Sequence, residues 1–272
     1  MLREERFDTD SVALNYAIDN ADGPPLVLLH GVMSCWQGWL SAVPPLATRW
    51  RLAIPDLRGH GRSGRVAGGY TVDDYAADIV AFLRGVIGAP AVLVGHSLGG
   101  IIATAVAAAA PEQIAGVVLE DPPLAAFRGT SFRERPERDH FVAMRDIVVA
   151  GHSVEEIAAI LGARQPHSDP VSLRAHAARL ARLDPDVLTM IVGDRATGTY
   201  DQDACLRAIA APTLLLQADP AAGGALGDAD AQRAAELLPR GTLVRLPGVG
   251  HGIHGEVPDR FARLVHDFLE FY

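Results

Sequence analysis

The sequence predicts an α/β fold: a mostly parallel sheet with helices on both faces and an all-helical lid inserted into it. Three observations lead there. Six short, mostly apolar runs recur along the chain, and helical patterns fall between several of them. Between residues 124 and 207 that alternation stops and only helical signals remain. Residues 1–123 and 208–272 are therefore expected to form the core, with 124–207 as a helical cap.

Residues 7–18, FDTDSVALNYAI, partly alternate apolar with polar residues and read as an antiparallel hairpin. The later runs are LVLLH (26–30), RLAIPD (51–56), AVLVG (91–95), GVVLED (116–121), PTLLLQ (212–217) and TLVRLP (242–247). They are apolar on successive positions, as strands buried on both faces must be. A helix is predicted over 71–87, where Thr71 and Asp74 make a capping-box start and Tyr75, Ile79, Phe82, Leu83 and Val86 form one stripe. Gly88 stops it. The segment after Ser97 is Ala-rich up to Pro111. Within the insertion, Ser153 with Glu156 gives a second capping box, and Asp169 and Asp184 each precede a first-turn proline, giving about four helices. The last helix begins near Pro258 with Phe261, Leu264, Val265, Phe268 and Leu269 on one face.

Composition narrows the function. With 49% hydrophobic and 21% charged residues, the chain is globular rather than disordered. A net charge of −9 argues against a nucleic-acid partner. The one locally basic stretch, FRGTSFRERPER (127–138), interleaves Arg with Glu and reads as solvated surface. Cys35 and Cys205 match no metal-ligand spacing, so reduced thiols and no metal are expected. The opening MLREERFDTD is charged where a signal peptide is apolar, and no run reaches the roughly 18 apolar residues of a membrane span, which reads as cytoplasmic with no membrane partner.

Chemistry centres on Gly95-His96-Ser97-Leu98-Gly99, a G-x-S-x-G at the end of a predicted strand and the start of a predicted helix. Glycines there permit a sharp turn that lifts the Ser97 hydroxyl above the sheet edge, over a helix N-terminus. A serine hydroxyl needs a base, itself oriented by a third group. Among ten histidines, His251 stands in a glycine-rich loop after the last predicted strand, and loops after parallel strands gather at the edge that carries Ser97. His254, three residues on, is the weaker choice for that base.

Four motifs in order then resemble the α/β-hydrolase family over nearly the whole chain: LLHGVMSCWQGW, DLRGHGRS, GHSLGG and PGVGHGIHGEVPDRF. In the last, Glu256 and Pro258 stand where the family places them after its catalytic histidine. The resemblance implies an oxyanion hole from the backbone N–H groups of Leu98 and Val32, and a loop-bracing role for His30. It also makes Trp36 and Trp39 candidates to line the acyl pocket, against a bland role in packing. Losing one oxyanion donor commonly costs about 10²- to 10³-fold in rate.

The triad acid departs from the family pattern. Most members carry it after the seventh strand, and the corresponding position here is Ala221. Asp219 lies too early, while Asp228 and Asp230 look like helix caps. A minority, including zearalenone-type lactonases and some dehalogenases, place the acid after the sixth strand, where this chain has Asp121, 24 residues beyond Ser97. Asp121 is the preferred orienting acid and Asp219 the alternative; each also reads as a turn-former before proline. Glu120 should point to the opposite side of its strand from Asp121.

The expected reaction is acyl transfer from a small-molecule ester or lactone to water, with no cofactor. The GHS elbow argues against enzymes with an Asp nucleophile. A cofactor-free haloperoxidase or perhydrolase, or a carbon-carbon hydrolase with the same triad, is the rival chemistry. A ligand receptor on a hydrolase scaffold is the rival of another class. Phe127, Phe132, Phe141 and Tyr200 in the insertion suggest a largely apolar pocket.

Overall fold

A computed structural model of the chain describes residues 2–127 and 132–270. Its strands are β1 (Arg3–Asp8), β2 (Ala13–Ile18), β3 (Pro25–Leu29), β4 (Arg51–Pro55), β5 (Ala91–His96), β6 (Ile114–Glu120), β7 (Thr213–Ala218) and β8 (Gly241–Leu246). They form one sheet in the order β1-β2-β4-β3-β5-β6-β7-β8, antiparallel through β1, β2 and β4 and parallel from β4 onward. The helices are α1 (Val43–Leu46), α2 (Val72–Phe82), α3 (Leu98–Ala109), α4 (Arg138–Val149), α5 (Val154–Arg164), α6 (Pro170–Leu180), α7 (Pro185–Val192), α8 (Gln202–Ala208), α9 (Asp228–Leu237), α10 (Ile253–Glu256) and α11 (Pro258–Glu270). The chain is thus α/β, as its alternation of apolar strands and amphipathic helices predicts.

The central strands bury both faces. Leu26, Leu28, Val92 and Val94 pack with Phe261 and Val265 of α11, whereas Val27, Leu29, Leu93 and Val117 pack with residues of α2 and α3. Neighbouring positions on one strand thus belong to opposite core layers, the period of two that a pleated strand imposes. The hairpin starts at Arg3 rather than at residue 7, because β1 is an edge strand whose REERFD sequence has no apolar alternation to read. Its charges keep the free edge from pairing with another chain.

Local signals account for most helix ends. Thr71 and Asp74 form a reciprocal capping box on α2, and Ser153 and Glu156 do so on α5. Asp169 and Asp184 cap α6 and α7, each followed by a proline in the first turn. The predicted 71–87 helix ends as α at Phe82 and continues as a π-helical turn over Leu83–Ile87, closed by Gly88 at φ +68°. Between β6 and β7, α5 packs on α6 and α4 on α7, and their apolar residues, among them Met144, Leu161, Leu180 and Leu188, join the core layer of α2 and α3. Among the described residues no helix is long and apolar enough to cross a membrane.

Because β3, β5, β6, β7 and β8 lie side by side and parallel, the loops leaving their carboxyl ends meet along one edge. His30 and Gly31 follow β3, Ser97 follows β5, Asp121 follows β6, and His251 lies in the loop after β8.

Candidate active site

Ser97 sits at φ +54° and ψ −118°, a region that costs a side-chain-bearing residue of order 1–3 kcal/mol and persists only where its surroundings enforce it. The enforcement is steric. A Cβ on Gly95 would lie 2.2 Å from the Gly99 carbonyl oxygen, and one on Gly99 would lie 2.2 Å from that of Leu29. Only glycine lets β5, the turn and α3 approach so closely, and the tight turn leaves the strain on Ser97. The Ser97 N–H donates to the Glu120 carbonyl at 3.0 Å, carrying the β5–β6 pairing past the strand end and fixing the serine beside Asp121.

His251 Nδ1 donates to Asp121 Oδ2 at 2.6 Å. A carboxylate only accepts, so this bond places a proton on Nδ1 and directs Nε2 to the other side of the ring. Asp121 is fully buried and holds φ +44°. Three more donors reach it: the N–H groups of Ala218 at 3.1 Å, Ala225 at 2.7 Å and Leu226 at 3.3 Å. Burial alone would raise its pKa, but the His251 bond and the backbone donors together hold the carboxyl below its ordinary value.

Asp219, the alternative acid, does not reach His251. It accepts from the Ala221 and Gly248 N–H groups, both at 2.8 Å, and caps a 3₁₀ turn over Pro220–Ala222. The loop after β7 therefore supplies backbone donors to Asp121 in place of an acid. Asp228 and Asp230 stand in the first turn of α9, whose N-cap is Gly227.

Glu120 points away from Asp121 and holds the second histidine of the same loop. Its Oε1 accepts from both the His254 N–H and His254 Nδ1, each at 2.8 Å, and it is fully buried. His96 Nε2 donates to the His251 carbonyl at 3.0 Å, and burial pushes the His96 pKa down to about 3. Sequence reasoning missed this second cluster; the signal was a Glu-Asp pair at a strand end opposite a loop with two histidines. One ligand-capable atom from each of His96, Glu120 and His254 lies within 4.8 Å of the others, and His96 Nε2, His254 Nδ1 and the Glu120 carboxylate are engaged in the bonds just given.

Val32 and Leu98 both line the cavity that Ser97 and His251 open into. Leu98 opens α3, so its N–H is among the donors that a helix leaves without an intrahelical acceptor. His30 braces the β3 loop: Nε2 accepts from the Leu57 N–H at 3.0 Å and Nδ1 donates to the Gly31 carbonyl at 2.8 Å, which requires a neutral ring. Burial lowers its pKa to about 4, in agreement with that tautomer.

Of the two readings of the tryptophans, pocket wall or packing, the structure has the packing one. Trp39 is fully buried with its ring 4.0 Å from that of His254 and 6.0 Å from that of Phe261, and Trp36 packs in the same core layer. Neither is among the residues lining the cavity: the Trp39 ring faces His254 of α10 and Phe261 of α11, and Trp36 packs against the same cluster.

The cavity has a volume of about 440 Å³ and an apolar wall of Val32, Met33, Leu98, Phe127, Phe132, Phe141 and Ile191. Tyr200, the fourth aromatic of the insertion, is buried elsewhere, its hydroxyl 2.6 Å from Thr104 Oγ1. The stretch 127–138 is not wholly a solvated surface: Phe127, Phe132, Arg135 and Glu137 line the cavity. Residues 128–131 of that stretch lie outside the described residues.

A serine at a strained strand-to-helix turn after β5, with an aspartate after β6 bonded to a histidine from the loop after β8, makes a hydrolase-type arrangement on a doubly covered sheet. The chain belongs to the α/β hydrolase fold family, whose model matches residues 24–258. It is 25% identical to a 2-(acetamidomethylene)succinate hydrolase of Mesorhizobium japonicum over 97% of this chain and 94% of that one. Among solved structures it resembles the enol-lactonase from Burkholderia xenovorans, with a TM-score of 0.78 at 23% identity over 98% of this chain and all of that one. It also resembles an N-acyl homoserine lactone degrading enzyme, with a TM-score of 0.77 at 25% identity over 97% of this chain and 100% of the other.

Proposed function

We propose that the protein is a serine hydrolase that cleaves a carboxylic ester or lactone of a small, largely apolar molecule through an acyl-enzyme on Ser97. The observation that carries this reading is the strained Ser97 opening into one apolar cavity with the hydrogen-bonded His251–Asp121 pair. Ser97 Oγ attacks the carbonyl carbon while His251 Nε2 takes its proton, and Asp121 stabilises the imidazolium formed. The N–H groups of Val32 and Leu98 accommodate the oxyanion. Collapse expels the alcohol, which leaves with the proton held by His251. Water, deprotonated by His251, then attacks the acyl carbon, and the acid departs as Ser97 regains its proton. That relatives include an enol-lactonase and a lactone-degrading enzyme supports ester or lactone bonds as the substrate class.

A fluorophosphonate probe should label the native protein but not Ser97→Ala, and the native protein should turn over p-nitrophenyl butyrate or a simple lactone many times per active site. Labelling without turnover on either class would overturn the ester reading and favour a ligand-binding role for the scaffold.

A further inference from the structure

We propose that Arg135 binds a carboxylate carried by the substrate, so that the preferred esters are hemiesters of small dicarboxylic acids or lactones bearing a free carboxylate. The inference rests on the ester-hydrolase reading of Ser97 and adds to it what the other end of the substrate looks like.

Arg135 lines the same cavity as Ser97 and His251, and among the described lining residues it is the one permanent cation. One of its nitrogens, Nη2, donates to the Ala125 carbonyl, which anchors the side chain to the segment that follows β6. Its Nε is buried and, among the described residues, has no hydrogen-bond partner. A guanidinium presents five donors in a rigid fork, so one anchored nitrogen leaves most of that capacity unused. The same cavity is lined by Phe127, Phe132 and Phe141, and in an apolar cavity an unsatisfied charge is costly and a supplied counter-charge is correspondingly effective.

The cavity's own carboxylates do not meet this need. Asp194 accepts the Phe132 N–H at 2.5 Å, and Glu137 is exposed at the start of α4. The histidine on this wall, His140, has its pKa lowered by burial and by Arg164, so it adds no second cation at neutral pH. A single fork, with two acidic residues also on the lining, suits an anion of one charge rather than a dianionic phosphate. A planar carboxylate fits that fork with two parallel hydrogen bonds. A volume of about 440 Å³ holds a short dicarboxylic chain, with its ester carbonyl at Ser97 and its free end against Arg135.

The test compares methyl hemiesters of glutarate and adipate with the neutral methyl esters of valerate and hexanoate, followed by pH-stat titration with the full-length protein. The native protein should favour each hemiester over its neutral counterpart. Arg135→Gln should lower kcat/KM by about 10- to 150-fold on the hemiesters, the range for a hydrogen bond to a charged group. On the neutral esters it should change by less than about threefold, which also shows that the variant is folded. Arg135→Lys should recover only part of the loss, because an ammonium cannot reproduce the fork. Equal rates on the two series, with equal effects of Arg135→Gln, would overturn the carboxylate proposal and leave the ester reading standing. No turnover of any ester by folded protein would overturn both.

Discussion

Four donors converge on the Asp121 carboxylate, and only one of them is the histidine it orients. The three backbone N–H groups fix the position of the carboxylate and keep it ionised, so His251 meets a fixed acceptor rather than a mobile side chain. Asp121→Asn would keep the shape but place an NH₂ donor or a weaker acceptor against Nδ1–H, and the ring would lose its preferred tautomer. We therefore expect kcat on a p-nitrophenyl ester to fall by about 10³- to 10⁴-fold with an unchanged circular dichroism spectrum. Asp219→Asn, at a carboxylate that accepts from the Ala221 and Gly248 N–H groups and not from His251, should stay near the native rate. The opposite pattern would sink the assignment of Asp121. Ser97 and His251 are readable in the sequence because each lies in a local motif whose meaning is set by a strand end. The choice between two aspartates is not, since it turns on which loop folds its N–H groups toward which carboxyl. Arg135 is less legible still: an Arg among Glu residues reads as surface until the segment after β6 folds it onto the lining of the cavity that holds Ser97.

At the scale of elements, the end of β6 acts as a two-sided clamp. Successive side chains leave a strand on opposite faces, so Glu120 and Asp121 reach different parts of the β8–α11 connection, one gripping His254 at the start of α10 and the other His251. The alternation is legible from the sequence, but its partner is not, because His254 meets Glu120 only when α10 forms and stacks on Trp39. The same stacking explains why Trp39 belongs to the core and not to the pocket. Glu120→Ala would leave two buried donors of His254, its N–H and its Nδ1, without an acceptor, at about 1–3 kcal/mol each. Urea unfolding should register that loss of several kcal/mol, while Glu120→Gln, which keeps an acceptor, should be milder. If both variants unfold at the native midpoint, the clamp contributes nothing to holding the histidine loop.

Across the whole molecule, the carboxyl edge of the sheet concentrates histidines that the fold keeps uncharged. His30 follows β3, His60 lies in the loop after β4 and His96 ends β5. Burial lowers the first to about 4 and the other two to about 3. In the unfolded chain all three regain an ordinary value of 6.5. Between that value and the folded ones the unfolded state binds protons that the folded state refuses, so stability must rise with pH there and fall on acidification. Each fully excluded proton removes about 1.4 kcal/mol per pH unit. Asp121 and Glu120 act in the same direction at lower pH. Their folded pKa values lie below the ordinary 3.8 and 4.5, so what they contribute is intact above those values and is lost as pH falls through the folded ones. The urea midpoint should therefore decline from pH 7 to pH 5 and drop more steeply below about pH 4.5. His60, whose Nδ1 donates to the Arg58 carbonyl and whose Nε2 has no partner among the described residues, offers the sharpest check. Replacing it with Gln should cost stability at pH 7 yet flatten the pH 5–7 slope by the share of one proton. An unchanged slope in His60→Gln would mean that His60 takes up its proton without unfolding, and that the acid sensitivity of this edge lies with His30 and His96 alone.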